Sequence, residues 1–302
     1  MATVLITGGT GLVGRHLCKR LQEKGYDVSI LSRSSEKKGA IPTFTWDLNK
    51  NIIEKEAFKN VNYIIHLAGA NIGDKRWTAK RKQEIIDSRI KTTQLIFTKI
   101  KEQNRNLKAF ISASAIRYYG IKTSDKIFIE NDPPANDFLG NTCLLWEQMA
   151  DKFKGLGIRT VKIRTGLVLT KQGGALSKMI RPVKMGIGSA IGSGKQYLPW
   201  IHIDDLCGIY IKAIENKNME GAFNAVAPDH KTNKEFTRIL ANVLKKPFWF
   251  PNIPAMVIKL IFGNMSEIIL KGNKVSADKV KTIGYNFFFT DLESALYNLI
   301  KK

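Results

Sequence analysis

The chain has 302 residues, room for one large domain or two ordinary ones, and enough length to bury a core without covalent staples. With 44% hydrophobic and 25% charged residues it has globular composition, which excludes an intrinsically disordered chain. Lys and Arg number 48 against 26 Asp and Glu, a formal charge of +22; partners are expected to be phosphorylated small molecules, nucleic acid or membrane phosphates, unless the lysines simply solvate every face.

In chain order, Val4-Leu5-Ile6 predicts a strand that runs into Thr7-Gly8-Gly9-Thr10-Gly11-Leu12-Val13-Gly14. A helix follows over 15–24, with Leu17 and Leu21 at helical spacing and Gly25 as its stop. Further strands are expected over 28–31, 63–67, 109–112 and 160–164, and helices over 79–102 and 144–154. Alternating strands and helices, with strands apolar on both faces, predict an α/β fold: a doubly wound parallel sheet covered on both sides.

After Gly166 the character changes. Gly173, Gly174, Gly186, Gly188, Gly192 and Gly194 mark a loop-rich stretch, and Pro247, Pro251 and Pro254 punctuate the last quarter. The expected division is a nucleotide-binding domain over 1–166, joined by elements from about 197–227, and a smaller mixed C-terminal substrate region over 167–302. Asp204-Asp205 is expected to cap a helix over 206–214. No apolar run approaches the length of a membrane span; 256–262 is short and broken by Lys259, so no membrane partner is expected. The apolar start lacks a basic leader and reads as a strand, not a signal peptide. Cys18, Cys143 and Cys207 are distant and odd in number, so neither disulfides nor a zinc site are expected, and a cytoplasmic location fits.

Gly8, Gly11 and Gly14 form G-x-x-G-x-x-G between a predicted strand and helix. Glycine lets backbone N–H groups approach a pyrophosphate, and the helix that begins near Leu12 turns its positive end toward it. Gly8, Thr10, Gly11, Leu12, Val13 and Gly14 are therefore candidate cofactor contacts. At the end of the second strand, where an NAD site places a carboxylate, stand Ser32-Arg33-Ser34. Ser32 and Arg33 suit a 2′-phosphate, so NADP is the expected cofactor. Asp47 is either an adenine-edge contact or a turn cap.

The glycine loop, His66-Leu67-Ala68-Gly69-Ala70, Ser112-Ala113-Ser114 and Trp200-Ile201-His202-Ile203-Asp204-Asp205 together resemble the extended short-chain dehydrogenase/reductase superfamily, in its NAD-dependent epimerase/dehydratase branch. Arg76-Trp77, Lys82-Gln83-Glu84-Ile85, Asp87-Ser88-Arg89, Trp146-Glu147, Arg164-Thr165-Gly166 and the tail over 251–299 are similar to its atypical "epimerase family protein" subgroup. The resemblance spans essentially the whole chain and implies a Rossmann-type fold. It implies cofactor contacts at Leu67, Ala68, Gly69, Glu84, Arg89 and Thr165, and a substrate pocket near Gln196, Trp200 and His202. Ser114 would bind a substrate oxygen, and Arg89 would hold cofactor or polarise a substrate oxyanion.

One departure stands out. The superfamily's acid–base Tyr and the Lys four residues on are replaced, in the best register, by Leu139 and Cys143. Tyr118 or Tyr119 could supply a phenol from another direction, or both could pack the loop. The expected activity is an NADP-dependent oxidoreductase or epimerase on a small, sugar-like or anionic substrate. The alternative is a catalytically silent NADP-binding sensor or scaffold. Lys178, Arg181 and Lys184 could bind an anionic substrate or stand in solvent. No basic stripe with interleaved aromatics points to nucleic acid. His202 lacks a partner at metal-ligand spacing, so no metal is expected, and the oligomeric state is left open.

Overall fold

The computed structural model describes residues 2–34, 40–103 and 107–301. Its first part runs β1 (Thr3–Thr7), α1 (Leu12–Glu23), β2 (Asp27–Ser32), β3 (Thr43–Asp47), β4 (Ile52–Ile53), β5 (Val61–His66), α2 (Ala79–Glu102), β6 (Ala109–Ala115), β7 (Ile127–Phe128), α3 (Phe138–Asp151) and β8 (Arg159–Thr165). The chain continues through β9 (Leu167–Leu169), α4 (Gly174–Lys184), β10 (Trp200–His202), α5 (Ile203–Glu215), β11 (Gly221–Ala225) and α6 (Asn233–Val243). It closes with α7 (Ala255–Phe262), α8 (Ser266–Leu270), β12 (Lys274–Val275), α9 (Asp278–Thr282) and α10 (Leu292–Lys301).

The main sheet has the order β11-β8-β6-β5-β1-β2-β3-β4, parallel throughout except for β4. Successive strand residues serve opposite cores. Val4 and Ile6 join α1 and α5 on one face, while Leu5 joins α2 and α3 on the other. Because both faces are covered, β1, with Val4, Leu5 and Ile6 all buried, reads as a continuous apolar run, whereas β8 alternates, with Val161 and Ile163 in the core and Lys162 and Arg164 bound to acids on the other face. The chain leaves β1 toward β2 on one side and later returns to β5 on the other. The carboxyl end of β1 is therefore a topological switch point, where open α/β sheets bind ligands.

Helix α2 has the bounds its sequence predicts, with Thr78 Oγ1 accepting from Arg81 N at 3.1 Å. Helix α3 begins six residues before the expected 144. Its N-cap is Asp137, whose carboxylate accepts from Gly140 N and from Ile121 N. Helix α5 likewise begins before 206, and its cap is His202, whose Nδ1 accepts from Asp204 N at 3.1 Å. Asp204 and Asp205 do not cap it and instead reach across the fold. Asp204 bonds His16 Nε2 of α1 at 2.6 Å, and Asp205 accepts from Tyr285 Oη, Phe288 N and Phe289 N.

The second body is built on the β9/β10 pair with α4, α6 and α10, around Leu176, Trp200, Phe236, Leu240 and Leu296. Strand β11 then returns to the main sheet beside β8. The tail is bound into the first part: β12 pairs with β7, Arg76 donates to the Leu260 and Ile261 carbonyls, and Arg117 donates to those of Ile268 and Lys271. These guanidinium groups satisfy carbonyls left open at the ends of α7 and α8. Among the described residues, no helix is long and apolar enough to cross a membrane.

Candidate cofactor and active site

The turn between β1 and α1 depends on its glycines. Gly8 has φ +70°, and a Cβ there would lie 3.1 Å from Ala68 N. A Cβ at Gly14 would stand 2.2 Å from the Gly8 carbonyl oxygen, so only glycine lets α1 pack this closely against the turn. The turn is closed by Gly11 N donating to Gly8 O at 2.9 Å. No side chain caps α1, and its first turn holds no acid, so its positive end is uncompensated. Thr10 and Gly11 are exposed at the tip, and Leu12 and Val13 are half-buried. This cradle fits a dinucleotide pyrophosphate.

At the end of β2, Ser32 is half-buried and Arg33 exposed. Arg33 borders a cavity of about 710 Å³ with Thr45, Trp46, Leu48, Lys50 and Ile52. Asp47 also borders it, but its Oδ1 accepts from Asn49 N at 2.8 Å and Lys50 N at 3.2 Å, so it caps the turn. The capped turn carries Lys50, a second cation beside Arg33 that the sequence reading did not single out.

Across the switch point, the ends of β1 and β5 are bound through buried His66. Thr7 Oγ1 lies 2.7 Å from His66 Nδ1 and accepts from Ala68 N at 3.1 Å, while Thr92 Oγ1 lies 3.2 Å from Nε2. The pattern is satisfied by a neutral imidazole with its proton on Nε2. Burial, aided by the nearby Arg89 charge, pushes the His66 pKa down to about 3. This arrangement fixes the loop that carries Leu67, Ala68 and Gly69.

Arg89 lies beneath that loop. Its Nη1 donates to Ala70 O at 3.1 Å and Ile85 O at 3.0 Å, and its guanidinium lies 5.1 Å from the Trp146 ring centroid. Burial lowers its pKa. A Cβ on Gly69 would approach the guanidinium carbon to 3.2 Å, so cation and loop are in close contact. Glu84 is placed apart from this cluster, half-exposed and ion-paired to Arg81 at 3.0 Å.

Ser114, near the end of β6, is the start of a buried polar network. Its Oγ donates to Glu147 Oε1 at 2.7 Å. Arg164 on β8 grips the same carboxylate with two bonds, Nε to Oε1 and Nη2 to Oε2, each 2.8 Å. Arg164 Nη1 also donates to Tyr119 Oη at 2.9 Å, and Tyr119 donates to Asn224 Oδ1 at 2.8 Å. Burial opposes charge on Arg164, but the bonds to Glu147 outweigh it and raise its pKa. Tyr118 lies flat against the same guanidinium, 3.5 Å from centroid to carbon. Burial raises the pKa of both phenols. Thr165 ends β8 half-buried, its hydroxyl donating to Ile163 O.

Leu139 and Cys143 fall one turn apart on α3. Leu139 is packed in an apolar cluster with Trp77, Ile85 and Met265, and Cys143 in one with Tyr118, Tyr119 and Val275. Burial, reinforced by the Glu147 charge, pushes the Cys143 thiol up to about 12, which keeps it protonated and non-nucleophilic. The three residues expected to line a substrate pocket are placed in packed interior. Trp200 is fully enclosed, His202 lies against Phe289 with ring centroids 3.9 Å apart, and Gln196 Nε2 donates to Ile191 O and Ile269 O. Burial, partly opposed by Asp204, lowers the His202 pKa to about 4.

Sequence reading gave no role to Glu147, Arg164 or His66. A signal existed for the first two: Arg164 alternates with Val161 and Ile163 on a strand covered on both faces, and Glu147 lies on an apolar face of α3, a buried charge and its counter-charge.

The sheet order, the glycine turn and the switch point agree with a comparison against protein families. The family described as NAD dependent epimerase/dehydratase matches residues 4–226. The chain belongs to that family. A second match, to a domain of unknown function (DUF1731), covers residues 253–299. Among curated relatives in this epimerase/dehydratase family, the epimerase family protein YfhF of Bacillus subtilis is 37% identical over 299 residues, covering 98% of this chain and 97% of the relative. An epimerase family protein of Staphylococcus aureus is 36% identical over the full length of both. Among solved structures, the human epimerase family protein SDR39U1, crystallised with NADPH, is 32% identical with a TM-score of 0.87 and 99% of each chain covered. The nucleoside-diphosphate sugar epimerase of Corynebacterium glutamicum is 29% identical with a TM-score of 0.81, over 99% of this chain and 58% of that one. The chain is an NAD(P)-binding, epimerase-like protein of Rossmann-type fold.

Proposed function

We propose that the protein is an NADP(H)-dependent oxidoreductase or epimerase acting on a small, sugar-like or anionic metabolite, without a Tyr–Lys pair. The observation that carries this reading is the glycine cradle at the switch point, with Arg33 and Lys50 beside the cavity at the end of β2 and no carboxylate over Ser32–Ser34. A 2′-phosphate is attracted there, and the Asp47 carboxylate that also borders the cavity is engaged by Asn49 N and Lys50 N. Gly8, Thr10, Gly11, Leu12, Val13 and Gly14 would hold the pyrophosphate. Ser32 and Arg33 would take the 2′-phosphate, and Leu67–Gly69, Arg89 and Thr165 would line the cofactor's path along the sheet edge. The nicotinamide, when bound, supplies a hydride donor or acceptor. The human relative's crystallisation with NADPH and the Corynebacterium relative's name support the cofactor and the substrate class by similarity.

The protein's own chemistry centres on Ser114. Because its proton is given to Glu147, its lone pairs are free to accept a hydrogen bond from a substrate hydroxyl. The cytoplasmic reading rests on three thiols that remain unpaired and buried.

The second reading, a silent NADP-binding sensor, is favoured by the enclosure of Leu139 and Cys143 on α3. A turnover screen separates the two. Purified protein is mixed with NADPH, or with NADP+, and with nucleotide sugars and small keto acids; loss of the reduced-nicotinamide absorbance reports net reduction, and chromatography of the sugars reports epimerisation, which leaves the coenzyme unchanged overall. Enzymatic function predicts turnover with at least one compound, slowed in Ser114→Ala without loss of NADPH affinity. Tight NADPH binding with no turnover across the panel would establish the silent reading.

A further inference from the structure

Helix α7 turns its apolar side away from the protein. Ile258 is buried and Phe262, one turn later, packs with Met265 and Leu139. On the other side Met256, Leu260 and Ile261 are 80%, 79% and 52% exposed, too much for a face that packs on this chain. Just before the helix, Trp249 is 71% exposed and Phe250 lies against it, with ring centroids 4.9 Å apart. The loop after α4 adds exposed Met185 and Ile187. It is bound to the same segment by Ile253 N donating to Ala190 O and Gly192 N donating to Ile253 O, both at 2.8 Å. These side chains therefore share one neighbourhood, and a contiguous exposed apolar patch marks a contact surface.

The charge around this patch is mainly positive. Arg181 and Lys184 on α4, Lys245 and Lys246 after α6, and Lys259 on α7 are all exposed. The sequence has no Asp or Glu from Lys152 to Ile203, nor from Phe236 to Ser266. The flanking acids are outnumbered: Glu267 is ion-paired to Lys271 at 3.4 Å, and Asp74, which accepts from Asn71 Nδ2 and keeps its charge, is followed directly by Lys75 and Arg76. A second copy of the chain would set this positive charge against itself. Nucleic acid would use the cations but not the aliphatic and aromatic side chains. An anionic bilayer uses both: cations meet lipid phosphates while Trp, Phe and aliphatic groups enter the headgroup–acyl boundary.

We propose that the face formed by α7, Trp249–Phe250 and the loop after α4 seats the protein on a bilayer surface rich in anionic phospholipid. The contact is peripheral and needs no spanning segment, so it is compatible with the lack, among the described residues, of a helix long and apolar enough to cross a membrane. It does not depend on the catalytic reading.

The test is flotation of the full-length protein with vesicles of phosphatidylcholine containing phosphatidylglycerol, and with phosphatidylcholine alone. The expected result is flotation only with the anionic vesicles, weakened by salt. The double substitution Met256→Glu with Leu260→Glu should reduce the bound fraction at least about ten-fold. Both side chains are exposed, so thermal unfolding and NADPH binding should be unchanged, which separates a lost contact from a lost fold. Equal flotation of wild type and double variant would overturn the proposal, as would no flotation with anionic vesicles. A wild-type dimer that the substitutions dissociate, or a DNA gel shift that they abolish, would assign the face to another partner and overturn it too.

Discussion

His66 is held neutral between two threonine hydroxyls, and its ordinary pKa of 6.5 falls to about 3. The native state thus refuses a proton that the unfolded chain accepts below about pH 6.5. The stability contributed by this site is complete above that pH and is lost as pH falls toward about 3. Between pH 6.5 and about pH 5 the loss amounts to about 2 kcal/mol. His202, lowered to about 4, acts with the same sign. Urea denaturation at a series of pH values should therefore show stability falling below pH 6.5 in the wild type. In His66→Gln, which begins less stable, the slope should be shallower; equal slopes would contradict the role. His66 was legible only as part of a motif, because a lone His at the end of an apolar strand has the same pattern as a core residue. The glycine turn was legible because no other residue type tolerates a Cβ 2.2 Å from a carbonyl oxygen.

Helix α3 joins two problems that sequence alone could not resolve. Its start was misplaced because Leu139 and Gly140 give no periodic signal, and the cap at Asp137 also serves Ile121, a contact made by the folded chain. Its Glu147 pairs with Arg164, 17 residues away, across the α3–β8 packing. Removing one partner of a buried ion pair leaves the other charge uncompensated. Glu147→Ala should cost about 3–5 kcal/mol in urea denaturation. Ser114→Ala removes one hydrogen bond to the same carboxylate and should cost less, about 1.5–3 kcal/mol. Comparable losses would mean that Arg164 finds another counter-charge. The substrate loop shows the opposite case: the resemblance implies a pocket near Gln196, Trp200 and His202, and the structure builds these side chains into packing.

At the scale of the molecule, the tail is part of the fold. Val280 and Tyr285 belong to the core beneath the main sheet, and Leu292, Leu296 and Leu299 of α10 pack beside α6. Those three leucines alone contribute about 4.5–9 kcal/mol at about 1.5–3 kcal/mol each, against a typical total stability of about 5–15 kcal/mol. A chain ending before Ile253 should lose its cooperative thermal transition by circular dichroism; a retained sharp melt would show that the first part folds alone. The parallel sheet and its central glycine turn were legible from strand–helix alternation. The β7–β12 and β9–β10 pairs were not, because strands of two or three residues carry no period.

The central claim, that the switch-point cradle takes a dinucleotide with a 2′-phosphate, is tested most directly by titration calorimetry of NADPH and NADH into wild type and Arg33→Ala. The prediction is that NADPH binds the wild type at least about ten-fold more tightly, about 1.4 kcal/mol, and that Arg33→Ala removes most of that preference while leaving NADH affinity in place. No heat with either coenzyme, or a preference untouched by the substitution, would contradict it.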